Sequence, residues 1–247
     1  MQTTLLTVTI AALITALMTG VGALPFLFMR DIGKRVIGAS NAAAAGLMLA
    51  ASHSLIAEGV SVGAGLALAG VLLGLGAIML SDRWLGNAGH LEIADLHGAS
   101  ASRALLILGV MTAHSFAEGI GVGVSFAGDE GLGVFITTAI AFHNVPEGLA
   151  IALVLVPRGT PVWKAALWAV FTSLPQPLMA APAFVFVDWF RPLLPVGLGL
   201  AAGAMIWMIF AELVPDALEH SSASSTAGLV VLAFAAMMAF QLFVLGG

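Results

Sequence analysis

The feature that most constrains this chain is a recurrence of unbroken apolar runs. A run of about 20 apolar residues wound as an α-helix rises about 30 Å, the thickness of a bilayer's hydrocarbon core. Such runs recur at 5–29, 36–57, 63–81, 103–127, 131–156, 163–187, 195–217 and 226–245. They are continuously apolar rather than alternating, which argues against a β-barrel. Only 9% of the 247 residues are charged, where a water-soluble domain carries about 25%. The first run has neither a basic leader nor a convincing cleavage site, so it is read as a mature helix rather than a signal peptide. The expected fold is an all-α membrane protein, a bundle of eight transmembrane helices forming a single transmembrane domain over 1–247.

An even number of crossings places both termini on one side. Arg30, Lys34 and Arg35 fall in the first loop, Arg83 and Arg103 flank the third, and Arg158 and Lys164 lie in the fifth. Of the eight basic residues only Arg191 falls in an even-numbered loop. Basic residues collect on the cytoplasmic side, so both termini are expected outside. The chain has no cysteine, which removes disulfides and thiolate ligands from consideration.

Against this apolar background, ionisable residues inside the runs stand out, because each costs roughly 2.5–3.5 kcal/mol to bury in charged form. The fourth run contains His114-Ser115-Phe116-Ala117-Glu118-Gly119 and the fifth His143-Asn144-Val145-Pro146-Glu147-Gly148, so His-x-x-x-Glu-Gly occurs twice in consecutive helices. His114 and His143 lie 11 and 12 residues into their runs, a depth of about 16–18 Å and so near the midplane. Residues at i and i+4 share a helix face. Two such faces could bring two imidazoles and two carboxylates to one point, a donor set suited to Zn²⁺ and also to Fe²⁺, Mn²⁺ or Cd²⁺. Two alternatives remain open at this stage: polar contacts that hold helices together without a metal, and a proton relay.

Met48 and Gln176 reach a similar depth, 12 and 13 residues into the second and sixth runs. A methionine there is ordinarily packing, with a soft metal ligand as the other reading. Pro146 removes a backbone donor beside Glu147, and Pro175 and Pro177 bracket Gln176. Such interruptions are tolerated where the backbone lines a cavity or is buried in protein. The polar stretch 82–102 carries His90, Glu92, Asp95 and His97, and a second polar stretch spans 216–225. Both are expected to face inward, the first either as an emerging-metal site or as a solvated linker.

The segment His143-Asn144-Val145-Pro146-Glu147-Gly148-Leu149-Ala150 resembles the signature of ZIP metal transporters, and the chain resembles their bacterial GufA-like branch from the second run to the seventh. Met48-Leu49-Ala50-Ala51-Ser52, the paired His-x-x-x-Glu-Gly motifs, the Pro-Gln-Pro region and Glu212-Leu213-Val214-Pro215 carry the likeness. The resemblance implies eight helices with outward termini and a binuclear metal site between the fourth and fifth. It assigns Met48, His114, Glu118, His143 and Glu147 to the main site, and Ser115, Asn144 and Gln176 to positions where a second ion draws ligands. The family typically has Asn where Ser115 stands, Glu where Gln176 stands and Pro where Ala117 stands. Because Ser115, Asn144 and Gln176 are neutral, one strong metal and at most a weak second are expected, with Gln176→Glu raising the second's occupancy.

The resulting expectation is a secondary carrier in a bacterial inner membrane, moving divalent metal toward the cytoplasm by alternating access. Zn²⁺ is the leading cargo, and Fe²⁺, Mn²⁺ and Cd²⁺ are others. His53 and Glu58 are candidate entry contacts, and Glu212 and Asp216 candidate exit contacts. No resident cofactor is expected. The partners are the metal ion, membrane lipid and a second copy of the chain, with no nucleic acid. His-Glu-x-x-His and phosphate-loop motifs are absent, which argues against a metalloprotease-like enzyme and against ATP as direct energy source. The alternative function is proton- or cation-coupled transport of a non-metal solute.

Overall fold

The computed structural model describes residues 4–29, 33–87, 99–156, 159–189 and 191–245. They are almost entirely helical, with no strand among the described residues. In chain order the helices are α1 (Leu5–Val21), α2 (Lys34–Asn87), α3 (Ala99–Gly128), α4 (Glu130–Leu155), α5 (Val162–Ser173), α6 (Pro175–Trp189), α7 (Leu194–Met208), α8 (Val214–His220) and α9 (Ala223–Leu245). Short 3-10 turns stand at Leu24–Leu27 and Arg191–Leu193, and a π-helical turn, Ile209–Leu213, joins α7 to α8. Six stretches among the described residues are long and apolar enough to cross a membrane: Leu5–Leu27, Lys34–Leu80, Glu130–Leu155, Val162–Val187, Arg191–His220 and Ala223–Phe243.

Burial is inverted relative to a water-soluble protein. Leu72, Leu80, Leu178, Leu232 and Phe243 are each at least 67% exposed, whereas Thr15, Ser115, Glu118, Asn144 and Gln176 are fully buried. Apolar side chains cover the outside and polar ones fill the middle, the arrangement that a hydrocarbon solvent favours.

The second and third apolar runs appear as the single helix α2, but it reverses direction at Gly63, whose backbone is extended (φ −172°, ψ 90°). A Cβ at Gly59 would lie 3.2 Å from the Ala67 Cβ, whereas an unbroken helix holds residues eight apart about 12 Å from each other. The packing of each arm on α7 and α8 agrees. Asn41 hydrogen-bonds Asp216 while Gly59 faces Pro195 and Leu198, so the first arm runs antiparallel to α7–α8. Gly70 lies on Val196 and Gly74 on Leu200, so the second arm runs parallel to α7.

Other run boundaries shift for local reasons. The first helix stops at Val21 rather than continuing to 29, giving way to the 3-10 turn that contains Pro25. The run 163–187 is two helices, because Pro175 and Pro177 lack the N–H groups that would continue the ladder. By contrast α4 continues through Pro146. The polar stretch expected from 216 onward is helical as far as His220.

Backbones approach closely where α1 meets α4. A Cβ at Gly148 would sit 1.7 Å from the Thr19 carbonyl oxygen, and one at Gly22 would sit 2.3 Å from the Leu149 nitrogen. Only glycine permits this contact, which brings the hydroxyls of α1 to the level of His143 and Glu147.

Candidate metal centre

The centre is built where α3 and α4 meet. The two helices are joined by Asp129 alone, whose carboxylate caps α4 by accepting from the Leu132 N–H at 2.9 Å. This short connection turns α4 back along α3 and brings their matching motifs to one depth. Ligand atoms of Glu118, His143 and Glu147 lie within 4.8 Å of one another, and all three side chains are buried. His143 Nε2 is 3.5 Å from Glu118 Oε1.

Several of the group's buried polar atoms have no hydrogen-bond partner: Glu118 Oε1, both oxygens of Glu147, His143 Nδ1, Asn144 Oδ1 and the Ser115 hydroxyl. Unsatisfied buried acceptors are individually costly, so a cluster of them calls for an explanation. A divalent cation supplies one, since two carboxylates balance its charge and an imidazole completes a donor set of the zinc type.

The other residues singled out in the sequence are placed differently. His114 lines the same cavity as His143 and Glu147 but turns Nε2 toward Glu212 Oε1, at 3.2 Å. Gln176 and Asn144 are tied to the trio by hydrogen bonds: Gln176 Nε2 donates to Glu118 Oε2 at 2.6 Å, and Asn144 Nδ2 donates to Gln176 Oε1 at 3.1 Å. Ser115 is fully buried on α3, and Met48 is buried in the apolar core. His90, Glu92, Asp95 and His97 lie outside the described residues.

A cavity of about 470 Å³ leads away from the trio. His114, His143 and Glu147 line one part of it, and Ile37, Asn41, Asp216 and His220 line another, at the end of the bundle where Lys34 and Arg35 begin α2. Asp216, Glu219 and His220 form a second, more exposed group whose ligand atoms also lie within 4.8 Å of one another.

Sequence reasoning passed over the hydroxyls of α1. Thr15 donates to Gln176 Oε1 at 2.5 Å, its backbone carbonyl accepts from Asn144 Nδ2 at 2.7 Å, and Thr19 pairs with Ser173 at 2.7 Å. One signal was available. Thr15 stands 10 residues into the first apolar run, at the depth of the two histidines.

Comparison with known proteins places this architecture. Residues 86–243 match the family described as ZIP Zinc transporter. The chain is 45% identical over 238 residues to a putative zinc transporter of Arabidopsis thaliana, covering 95% of this chain and 38% of that longer protein. It is 38% identical over 242 residues to zinc transporter ZIPB of Bordetella bronchiseptica, covering 89% of this chain and 75% of the relative. Against zinc transporter GufA of Myxococcus xanthus it is 30% identical over 226 residues, covering 84% and 87% respectively. With the family match extending over most of the chain, and two bacterial relatives covered for most of their length, this integral membrane protein belongs to the ZIP family.

Proposed function

We propose that this protein is a secondary carrier of divalent transition-metal ions, with Zn²⁺ as principal cargo and Fe²⁺, Mn²⁺ and Cd²⁺ as others, and that Glu118, His143 and Glu147 form its central binding site. The observation that carries the reading is the buried trio with unpartnered carboxylate oxygens at the head of a cavity. The zinc-transporter names of its relatives support the cargo. His114, which lines the same cavity and faces Glu212, is a further ligand, and Met48, Ser115 and Asn144 complete the surroundings.

The chain crosses a bacterial inner membrane eight times, as α1, the two arms of α2, α3, α4, α5 with α6, α7 with α8, and α9. Both termini are outside, because Lys34, Arg35, Arg83, Arg103 and Lys164 then lie on the cytoplasmic side. The cavity's far end is lined by Ile37 and Asn41, near the start of α2 at Lys34, so on this orientation the conformation is open inward, and import is the proposed direction. Glu212, Asp216 and His220 line the way out.

Uptake into proteoliposomes tests this directly. Zn²⁺ should accumulate in vesicles carrying the protein and not in empty ones. Purified protein that holds no metal and moves none would sink the reading and favour a non-metal solute. Single cysteines introduced beside Met1 and Gly247 should react with an impermeant reagent in intact cells, and labelling only after permeabilisation would reverse the orientation.

A further inference from the structure

The hydrogen bonds behind Glu118 have a direction that can be read one atom at a time. A backbone carbonyl only accepts, so the Asn144 atom 2.7 Å from the Thr15 oxygen is the amide nitrogen. That nitrogen also reaches the Gln176 carboxamide at 3.1 Å, so the Gln176 atom facing it is the oxygen. The Thr15 hydroxyl, shared with the Ala12 carbonyl at 2.7 Å, donates to the same oxygen at 2.5 Å. With its oxygen held by the Asn144 amide and by the single Thr15 hydroxyl hydrogen that Ala12 shares, Gln176 presents its NH₂ to Glu118 Oε2 at 2.6 Å. Turning the amide over would set its NH₂ against the Asn144 NH₂ and its oxygen against a carboxylate. Thr15, Glu118, Asn144 and Gln176 are all fully buried, so bulk water does not relieve a wrong choice.

We propose that this relay makes the centre a one-cation site: Gln176 caps Glu118 Oε2 and reserves Oε1 for metal, and Thr15 is the positioning residue, its carbonyl orienting Asn144 and its hydroxyl supporting the Gln176 oxygen. The inference rests on reading the trio as the metal site. A carboxylate bridges two cations by giving one oxygen to each. Here a cation approaching Oε2 would meet the positively polarised hydrogens of the Gln176 amide. Charge gives the same answer. Glu118 and Glu147 bring two negative charges to the trio, matching one divalent ion, and Asn144 and Gln176 add none. A second cation in so dry a place would be poorly screened from the first.

The position-specific test is anomalous scattering from crystals of the full chain soaked in Cd²⁺, with peaks counted beside Glu118. The unmutated protein should show one. Gln176→Glu should show two, because it sets a carboxylate oxygen where the amide nitrogen stands, 2.6 Å from Glu118 Oε2. Two anionic oxygens that close hold a cation between them. Two peaks of equal height in the unmutated protein would overturn the one-cation proposal while leaving the metal site standing, whereas no peak at all would remove the site itself. A single peak in folded Gln176→Glu would overturn the capping role.

Thr15→Val and Thr15→Ser provide an independent check by Zn²⁺ titration. Thr15→Val keeps the shape and loses the donor, so affinity should fall roughly tenfold, as when a ligand's supporting hydrogen bond is removed. Thr15→Ser should restore it. Equal affinity in both variants would overturn the positioning role of Thr15.

Discussion

The two carboxylates of the trio come from the same sequence pattern yet live in opposite surroundings. Glu118 stands against the wall made by α1 and α6, where Gln176 donates to it and Thr15 and Asn144 hold Gln176 in turn. Glu147 faces the cavity, with neither oxygen hydrogen-bonded. Under the proposed function the contrast divides the work between them. A braced carboxylate that keeps its geometry would discriminate among cations, while an unbraced one would follow an ion as it arrives or leaves. The motif alone makes the two glutamates look equivalent; the packing around them does not.

The strongest way to break this comparison is to remove each carboxylate. Glu118→Ala and Glu147→Ala should each bring metal uptake in proteoliposomes to background, because one carboxylate cannot balance a buried divalent ion. Wild-type uptake by a folded double variant would show that neither glutamate carries the metal. Replacing the histidines sharpens the contrast at lower amplitude. His143→Ala should weaken Zn²⁺ binding by roughly 10- to 100-fold and alter metal preference. His114→Ala should weaken it too, but less, since His114 pairs with Glu212 outside the trio; calorimetry on both variants gives the ranking. Met48→Ala should change Zn²⁺ affinity by less than about threefold and act mainly on soft Cd²⁺. Smallest of all should be the effect of replacing His90, Glu92, Asp95 and His97 together with alanine: metal at the trio should be retained, as X-ray absorption on the loaded protein would show.

Much of this was legible in the sequence, for identifiable reasons. A helix in lipid must satisfy its own backbone and cover itself with apolar side chains, so the runs locate the helices almost directly. The i, i+4 spacing fixes a face, so His114, Glu118, His143 and Glu147 were expected at one point, and the structure groups the last three. The reversal at Gly63 falls at the break between the runs 36–57 and 63–81, whereas the end of α1 at Val21 was less visible, because it falls inside continuous apolar sequence. Nor does spacing show that His114 turns to Glu212, or that Thr15 meets Gln176 across 161 positions. Those contacts depend on which helices become neighbours, and neighbours are set by packing over the whole bundle.

The π-helical turn at Ile209–Leu213 has a consequence in helical phase. Met208, Glu212, Asp216 and His220, spaced four apart, all line the cavity. On a plain α-helix each four-residue step overshoots a full turn by about 40°, so a row of four such residues drifts around the axis. The wider turn takes back part of that drift just where Glu212 stands. The row is thereby straightened, and a thioether, two carboxylates and an imidazole succeed one another along a single line of the cavity wall, stepping about 6 Å along the axis each time.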